Sequence, residues 1–232
     1  MKKCLTLLLA AMLALPTFAQ FNNSRERSRY NHSDTERYYG LRLGINSATL
    51  NSDMVQMDMN ARVGLSLGAV YGMQLANSTP LWLEAGLFYS EKGGKQNTPE
   101  NAAIDHISCR LTYLEVPVVV KYGFDVADDL YIQPFLGGFL GIGIAGKTKV
   151  YTNDVSLRES GSSYSRISVN GIKDAVYPGV NRLDGGLRFG CGLEYQMVYV
   201  EAGLEFGLVN IGKDDFDAVR TQNLFINAGV NF

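Results

Sequence analysis

The sequence is poor in charged residues, proline and cysteine. Charged residues make up 19% of its 232 residues, whereas an ordinary soluble domain has about 25%. Lys and Arg number 21 and Asp and Glu number 23. This balance provides no basic surface for a nucleic acid, so no nucleic-acid partner is expected. Three cysteines are too few for a disulfide scaffold.

A long hydrophobic run is also missing. The mean hydropathy is −0.03, and no stretch approaches the ~18 consecutive apolar residues that a membrane-spanning helix needs. Glycine, by contrast, is abundant: the 25 glycines are about 11% of the chain, against a typical ~7%. Because only six prolines accompany them, the composition is not that of a disordered linker. The protein is therefore either soluble or inserted in a membrane by a route that hydropathy does not reveal.

The N-terminus has the pattern of a secretory signal peptide. Lys2 and Lys3 precede the apolar segment Leu5–Leu15, which is too short to span a bilayer. Small residues before Gln20 predict cleavage between Ala19 and Gln20, so residues 1–19 are interpreted as the signal peptide. Residues 20–37 mix charges without apolar periodicity, and we interpret them as a disordered periplasmic lead-in.

From residue 38 onward, apolar residues recur with a period of two. In the stretch 62–75, for example, Val63, Leu65 and Leu67 alternate with small or polar residues. Alternation of this kind places one apolar row on each strand, and eight such segments follow one another to residue 232. Short connections alternate with four long ones, at about 48–60, 91–108, 147–181 and 210–222. This arrangement predicts an all-β fold, an eight-stranded antiparallel up-and-down transmembrane β-barrel over residues 38–232.

A soluble barrel would place the apolar row inside and the other row in water. Here the other row is dominated by glycine, which weakens an exposed strand surface and adds no solubility. Inside a narrow eight-stranded lumen, small residues leave room for charged side chains. Aromatic residues on the apolar row also lie near both rims of the predicted barrel, as in interfacial girdles. We therefore predict a membrane barrel in the outer membrane of the cell.

The inward row carries nearly balanced charges, which we predict to form an ionic plug in place of an open pore. Buried charges are tolerated when they are paired. Paired carboxylates can also perform acid–base catalysis, but pairing with cations already explains them. The predicted cluster consists of Arg42, Arg62, Glu84, Glu115, Lys121, Arg182, Asp184, Arg188, Glu194, Glu201 and Glu205.

Two motif matches do not indicate a cofactor or a metal site. Residues 141–148 match the phosphate-binding pattern G-x-x-x-x-G-K-[ST], but a β-branched and turn-like sequence follows in place of the required helix. His106 and Cys109 are too few for a zinc site, which needs three or four convergent ligands. We expect Cys191 to face lipid and to form no disulfide with Cys109.

Residues 113–122, YLEVPVVVKY, resemble a strand of the PorT-type outer-membrane β-barrel family. The resemblance extends over roughly residues 38–232. It implies an eight-stranded outer-membrane barrel that the barrel assembly machinery inserts by reading the C-terminal strand, with Phe232 as the insertion signal. It also raises a role in an envelope secretion complex of the type IX class.

Three functional hypotheses remain open. The first is a small non-enzymatic barrel that has a plugged lumen and is envelope-structural or binds a surface partner through its long loops. The second is a component of an envelope secretion or assembly complex, and the third is an enzyme acting at the outer rim. The expected partners are outer-membrane lipid, the assembly machinery during insertion, and an envelope or surface protein.

Overall fold

The computed structural model describes residues 36–52, 60–76, 79–97, 104–152, 159–164, 167–168, 176–177, 179–212 and 218–232. The predicted signal peptide, with Ala19 and Gln20, and nearly all of the predicted lead-in lie outside these residues. No helix long and apolar enough to cross a membrane occurs in the described part of the chain.

Eight antiparallel strands form a closed barrel, which confirms the predicted fold. Each strand pairs with its neighbour in sequence, and β8 returns to pair with β1, for example at Gly40 and Asn231. The barrel strands are β1 (Arg37–Ser52), β2 (Asn60–Ala76), β3 (Thr79–Asn97), β4 (Ile104–Tyr122), β5 (Leu130–Thr152), β6 (Leu183–Tyr195), β7 (Val198–Gly207) and β8 (Val219–Asn231).

The apolar row faces outward on every strand. Leu67 is 57% exposed and Leu140 is 66% exposed, whereas the alternate residues Ser66 and Phe139 are buried. Four aromatic residues of the apolar row near the short-turn end also point outward: Tyr39, Tyr122, Tyr195 and Phe232. Because these large apolar groups gain nothing from contact with water, the outer wall is suited to lipid.

Four strands extend well beyond the predicted limits, and the predicted long connections were therefore wrong in length. β1 continues to Ser52, β3 to Asn97, and β5 to Thr152, while β4 already begins at Ile104. Their outer faces are polar above the lipid-facing band, so the sequence looked like loop. Backbone pairing nevertheless continues, for example between Lys95 and Ser108 and between Arg110 and Lys147.

The extended ends of β3, β4 and β5 form a raised wall above the lipid-facing band. A short strand, Glu159–Ser162, pairs with residues 147–150 of β5 and extends this wall. The two-residue strands Ile167–Ser168 and Val176–Tyr177 pair with each other, and Phe124–Ala127 pairs with the start of β5. Residues 141–148, which match the phosphate-binding pattern, lie wholly within β5. A phosphate site requires a loop that opens a helix at this position.

Thiol labelling tests the direction of the two rows. Cys191 is exposed on the outer wall and Cys109 is buried. We expect a lipid-soluble maleimide to modify Cys191 in the barrel inserted in vesicles, and a charged, membrane-impermeant maleimide to leave it unmodified. A Cys191→Ser variant should lose this label. Modification by the charged reagent alone, in a barrel that retains heat-modifiable gel mobility, would mean that this face of β6 is in water.

Candidate functional site

The structure places most of the predicted charged residues in the lumen. Eight of the eleven are buried: Arg42, Glu84, Glu115, Lys121, Asp184, Arg188, Glu201 and Glu205. Arg62 and Glu194 are only partly buried. The buried residues separate into two clusters, one towards the short-turn end and one towards the long-loop end, with aromatic rings between them.

The cluster at the short-turn end is organised by one carboxylate oxygen. Oε2 of Glu84 accepts hydrogen bonds from the Tyr38 hydroxyl at 2.5 Å and from Nζ of Lys121 at 2.7 Å. Nη2 of Arg42 lies 3.6 Å from the same oxygen. Nζ of Lys121 also donates to the Tyr199 hydroxyl at 2.8 Å, and the Arg42 guanidinium lies 4.2 Å from the centre of the Tyr199 ring. The Glu84 carboxylate thus interacts with two cations, and both cations also make cation–π contacts with the Tyr199 ring.

Gly192 makes this arrangement possible. A Cβ atom at position 192 would overlap the hydroxyl and ring of Tyr199. Because Tyr199 is fully buried and adjoins both Arg42 and Lys121, any larger residue at position 192 would displace the ring from between the two cations. This is one physical reason for the glycine-rich inward row.

An aromatic layer separates the two clusters. Phe135 and Phe225 are buried with Val119, and their ring centres are 6.3 Å apart. The Arg188 guanidinium lies 3.8 Å from the centre of the Phe225 ring. Both rings are buried between the two clusters, where an unpaired charge would be costly.

The cluster at the long-loop end is built around Lys92. Its Nζ lies 2.5 Å from Oε1 of Glu115, 2.9 Å from Oε2 of Glu205 and 3.9 Å from Oδ2 of Asp184. Lys92 is 0% exposed. A single cation therefore holds three buried carboxylates together.

Arg188 completes this cluster from the side of the aromatic layer. Its Nη1 donates to Oε1 of Glu205 at 2.5 Å, and its Nη2 donates to Oε1 of Glu201 at 3.1 Å. Amides of β8 satisfy the same carboxylates, since Asn223 donates to Glu205 at 2.9 Å and Asn227 donates to Glu201 at 2.8 Å. The carboxylates are thus bound by cations and amides, which is the arrangement that makes their burial tolerable.

Three predicted members of the cluster, Arg62, Arg182 and Glu194, are not fully buried. Arg182 was predicted to lie in the lumen, and this is wrong: its side chain is exposed at the long-loop rim. It precedes the first residue of β6, donates from Nη1 to the Gly143 carbonyl at 2.8 Å and stacks 4.3 Å from the Tyr164 ring centre. Glu194, at the opposite end, accepts hydrogen bonds from Gln133 and Asn231.

Lys92, the centre of one cluster, was missed because residues 91–108 were interpreted as a connection. The signal was present, since Glu84, Phe88, Ser90 and Lys92 keep one parity along β3. Tyr38, Tyr199 and the asparagines of β8 also belong to the inward row but were not predicted as partners.

An apolar cap lies above the cluster at the long-loop end. Leu111, Tyr113 and Ile211 are fully buried there with Leu50, Cys109 and Tyr164. Tyr164 comes from the connection between β5 and β6 and lies where a Cβ at Gly143 would otherwise be. Burial raises the pKa of Tyr164 to about 12, so its phenol stays neutral in this apolar setting.

No group of three or more His, Cys, Asp or Glu side chains in the described ranges is arranged to hold a metal ion. The lumen carboxylates instead contact Lys and Arg. These ion pairs join residues of different strands within the barrel, for example Lys92 of β3 and Glu205 of β7.

Comparisons with known structures find small outer-membrane barrels at low similarity. The attachment invasion locus protein Ail of Yersinia pestis is 15% identical, with a TM-score of 0.43, covering 85% of this chain and 99% of Ail. Neisserial surface protein A is 16% identical, with a TM-score of 0.46, covering 86% and 100%. The N-terminal barrel domain of Pseudomonas aeruginosa OprF is 13% identical, with a TM-score of 0.31, covering 82% and 97%.

No curated protein sequence matches the chain. A family model does match it, over residues 18–212, and that model describes an outer membrane protein beta-barrel domain. The matched range includes β1 to β7 with their inward charges and outward apolar row. This chain therefore belongs to the family of outer membrane proteins with a beta-barrel domain.

Proposed function

We propose that the protein is a non-enzymatic, structural barrel of the outer membrane whose lumen is closed to solutes. The long-loop end then presents a surface to an envelope or surface protein. The observation that carries this proposal is the succession of three layers of side chains inside the barrel. These are the Glu84 cluster, the rings of Phe135 and Phe225, and the Lys92 cluster.

The energetics of charge burial support a closed lumen. In a water-filled channel, water would solvate the charged side chains, and close ion pairs would not be required. Here Lys121 and Glu84 are 2.7 Å apart and Lys92 and Glu205 are 2.9 Å apart, with side chains nearly or wholly buried. Close pairing of this kind compensates the several kcal/mol that each buried ion costs.

The same contacts argue against catalysis by these carboxylates. A general acid or base must reach a substrate proton, whereas Glu84, Glu115 and Glu205 are enclosed and already bound to cations. We therefore assign them a structural role. The partners in this proposal are outer-membrane lipid and, during insertion, the barrel assembly machinery, with export directed by the predicted signal peptide.

A role in a secretion complex is the second candidate, because residues 113–122 resemble the PorT-type family. Within the barrel, however, Glu115 and Lys121 of this segment form lumen ion pairs, and Val116 and Val118 face outward. Barrel architecture accounts for these residues, so the structural proposal is favoured. Co-purification with a stoichiometric set of envelope proteins would favour the secretion complex.

Conductance measurements test the closed lumen. In planar bilayers we expect the wild-type protein to give no stepwise ionic conductance. The double variant Phe135→Ala/Phe225→Ala removes the aromatic layer and should produce conductance steps, because water can then connect the two clusters.

The double variant Phe189→Ala/Phe206→Ala is the matched control. The centres of these two stacked rings are 5.7 Å apart; Phe189 is exposed and Phe206 is partly exposed, both in the outward row. Their removal changes composition equally without opening the lumen, so this variant should remain silent. Stepwise conductance of the correctly folded wild-type barrel would refute the proposal.

A further inference from the structure

The raised wall of β3, β4 and β5 carries exposed basic residues above the lipid-facing band. Tyr89, Leu114 and Ile144 are the last large apolar residues of the outward row on these three adjacent strands. Beyond them, Arg110 pairs with Lys147, and Ser108 pairs with both Lys95 and Lys149. We define the basic face as the four exposed cations of this surface, Lys95, Arg110, Lys147 and Lys149.

The basic face keeps a net positive charge. Among the side chains that the structure describes on this surface, Glu91 is the one acid, and it forms an ion pair with Arg110. Lys95, Lys147 and Lys149 lie around this pair. Cations held close to a membrane surface attract anionic lipid headgroups.

An apolar groove lies lower on the wall, on β4, β5 and β6 and the residues that follow β7. It has a volume of about 500 Å³. Gly138 and Gly185 form its floor, because they expose backbone where neighbouring positions carry large side chains. Its walls are Val116, Val118, Leu140 and Leu208, which belong to the exposed outward row.

The spacing between the groove and the basic face matches one lipid leaflet. Six residues separate Val116 from Arg110, which corresponds to about 20 Å along a strand. With the usual tilt of barrel strands this is about 15 Å along the membrane normal. The hydrocarbon core is about 30 Å thick, so a single leaflet has this depth.

We propose that this wall binds one phosphate-bearing lipid of the leaflet at the long-loop end. The basic face receives the phosphate and the groove receives an acyl chain. Charge complementarity selects the headgroup, and the position of the groove within the apolar band selects a hydrocarbon occupant. The site is separate from the lumen and does not depend on whether the lumen is closed.

The test measures lipid affinity of the detergent-solubilised mature protein by native mass spectrometry. The probes are long-chain phosphatidylglycerol and long-chain phosphatidylcholine. We expect phosphatidylglycerol to bind more tightly, and the triple variant Lys95→Gln/Lys147→Gln/Lys149→Gln to lose this preference at least tenfold. The control variant Arg37→Gln/Arg220→Gln removes two exposed cations of β1 and β8, away from the basic face and the groove, and should change it less than twofold. Equal losses in the two variants would overturn the proposal.

The groove is tested separately with Gly138→Leu, which should weaken long-chain phosphatidylglycerol severalfold. Ala69→Leu adds similar bulk to the outer face of β2 and serves as its control. A Cβ at position 138 would lie 3.2 Å from the Gly186 carbonyl oxygen, so Leu208→Trp provides a second variant that narrows the groove from its wall. Unchanged affinity in both folded variants, or equally tight binding of glycerol phosphate without acyl chains, would overturn the lipid assignment.

Discussion

Replacement of Lys92 by methionine is expected to destabilise the folded barrel by about 3–5 kcal/mol, the cost of leaving buried charge uncompensated. Lys92 has no exposure, and its Nζ lies within 3.9 Å of carboxylates from Glu115, Asp184 and Glu205. Methionine fills much of the same volume, so the loss arises from charge and not from a cavity. The remaining cation of the cluster, Arg188, contacts Glu205 and Glu201.

The free energy of unfolding can be measured by urea titration of the protein folded in phosphatidylcholine vesicles, which lack the net negative headgroup charge that the basic face is proposed to bind. Trp82 is the one tryptophan of the sequence, so its fluorescence reports unfolding from a single site. Heat-modifiable gel mobility gives an independent measure of the folded fraction. The control is Lys149→Met, which removes an exposed lysine and should change stability by about 0.5 kcal/mol or less.

A compensating variant separates charge from packing. If Lys92 neutralises the surrounding carboxylates, Lys92→Met/Glu115→Gln should recover part of the lost stability, because it removes one unpaired negative charge at the same point. Failure of Glu115→Gln to restore any stability, or a Lys92→Met variant as stable as Lys149→Met, would show that the cluster does not hold the barrel together.

The strand number, the direction of the rows and the burial of most inward charges could be predicted from the sequence. Each depends on a period of two, which a strand imposes on every residue it contains. Leu67 and Leu140 face outward, and Arg42 and Glu205 inward, by parity alone. The local alternation of residues is therefore sufficient to predict the strand number and the direction in which each side chain points.

Strand ends and contact partners could not be predicted in this way. Above the apolar band the outward residues of β3 and β4, such as Lys95 and Ser108, are polar, so the outward apolar row that defines each strand ends while backbone pairing continues. Partners require the register around the whole barrel. Arg42 donates to the Asn231 side chain at 2.7 Å although the residues are 189 positions apart, and this contact exists because β8 closes on β1.

Replacement of Glu84 by alanine is the second large effect that we expect, again about 3–5 kcal/mol. Its Oε2 is the shared acceptor for Tyr38 and Lys121 and the nearest carboxylate oxygen to Arg42. Without it, two buried cations remain beside the Tyr199 ring. Tyr38→Phe removes only one hydrogen bond to this carboxylate, so it should cost less, about 1.5–3 kcal/mol.

A double-mutant cycle of Glu84→Gln and Lys121→Met determines whether the pair acts as a unit. We expect the double variant to be more stable than the sum of the single losses predicts, by about 0.5–3 kcal/mol, because the second change removes a charge that the first left unpaired. Trp82 lies 5.4 Å from the Tyr38 ring, so local changes could alter its fluorescence, and gel mobility must give the same ranking. Strict additivity of the two single losses would mean that Lys121 does not depend on Glu84 for its burial. The contacts of the Glu84 cluster would then be independent of one another, and the cluster would not act as one cooperative unit at the short-turn end of the lumen.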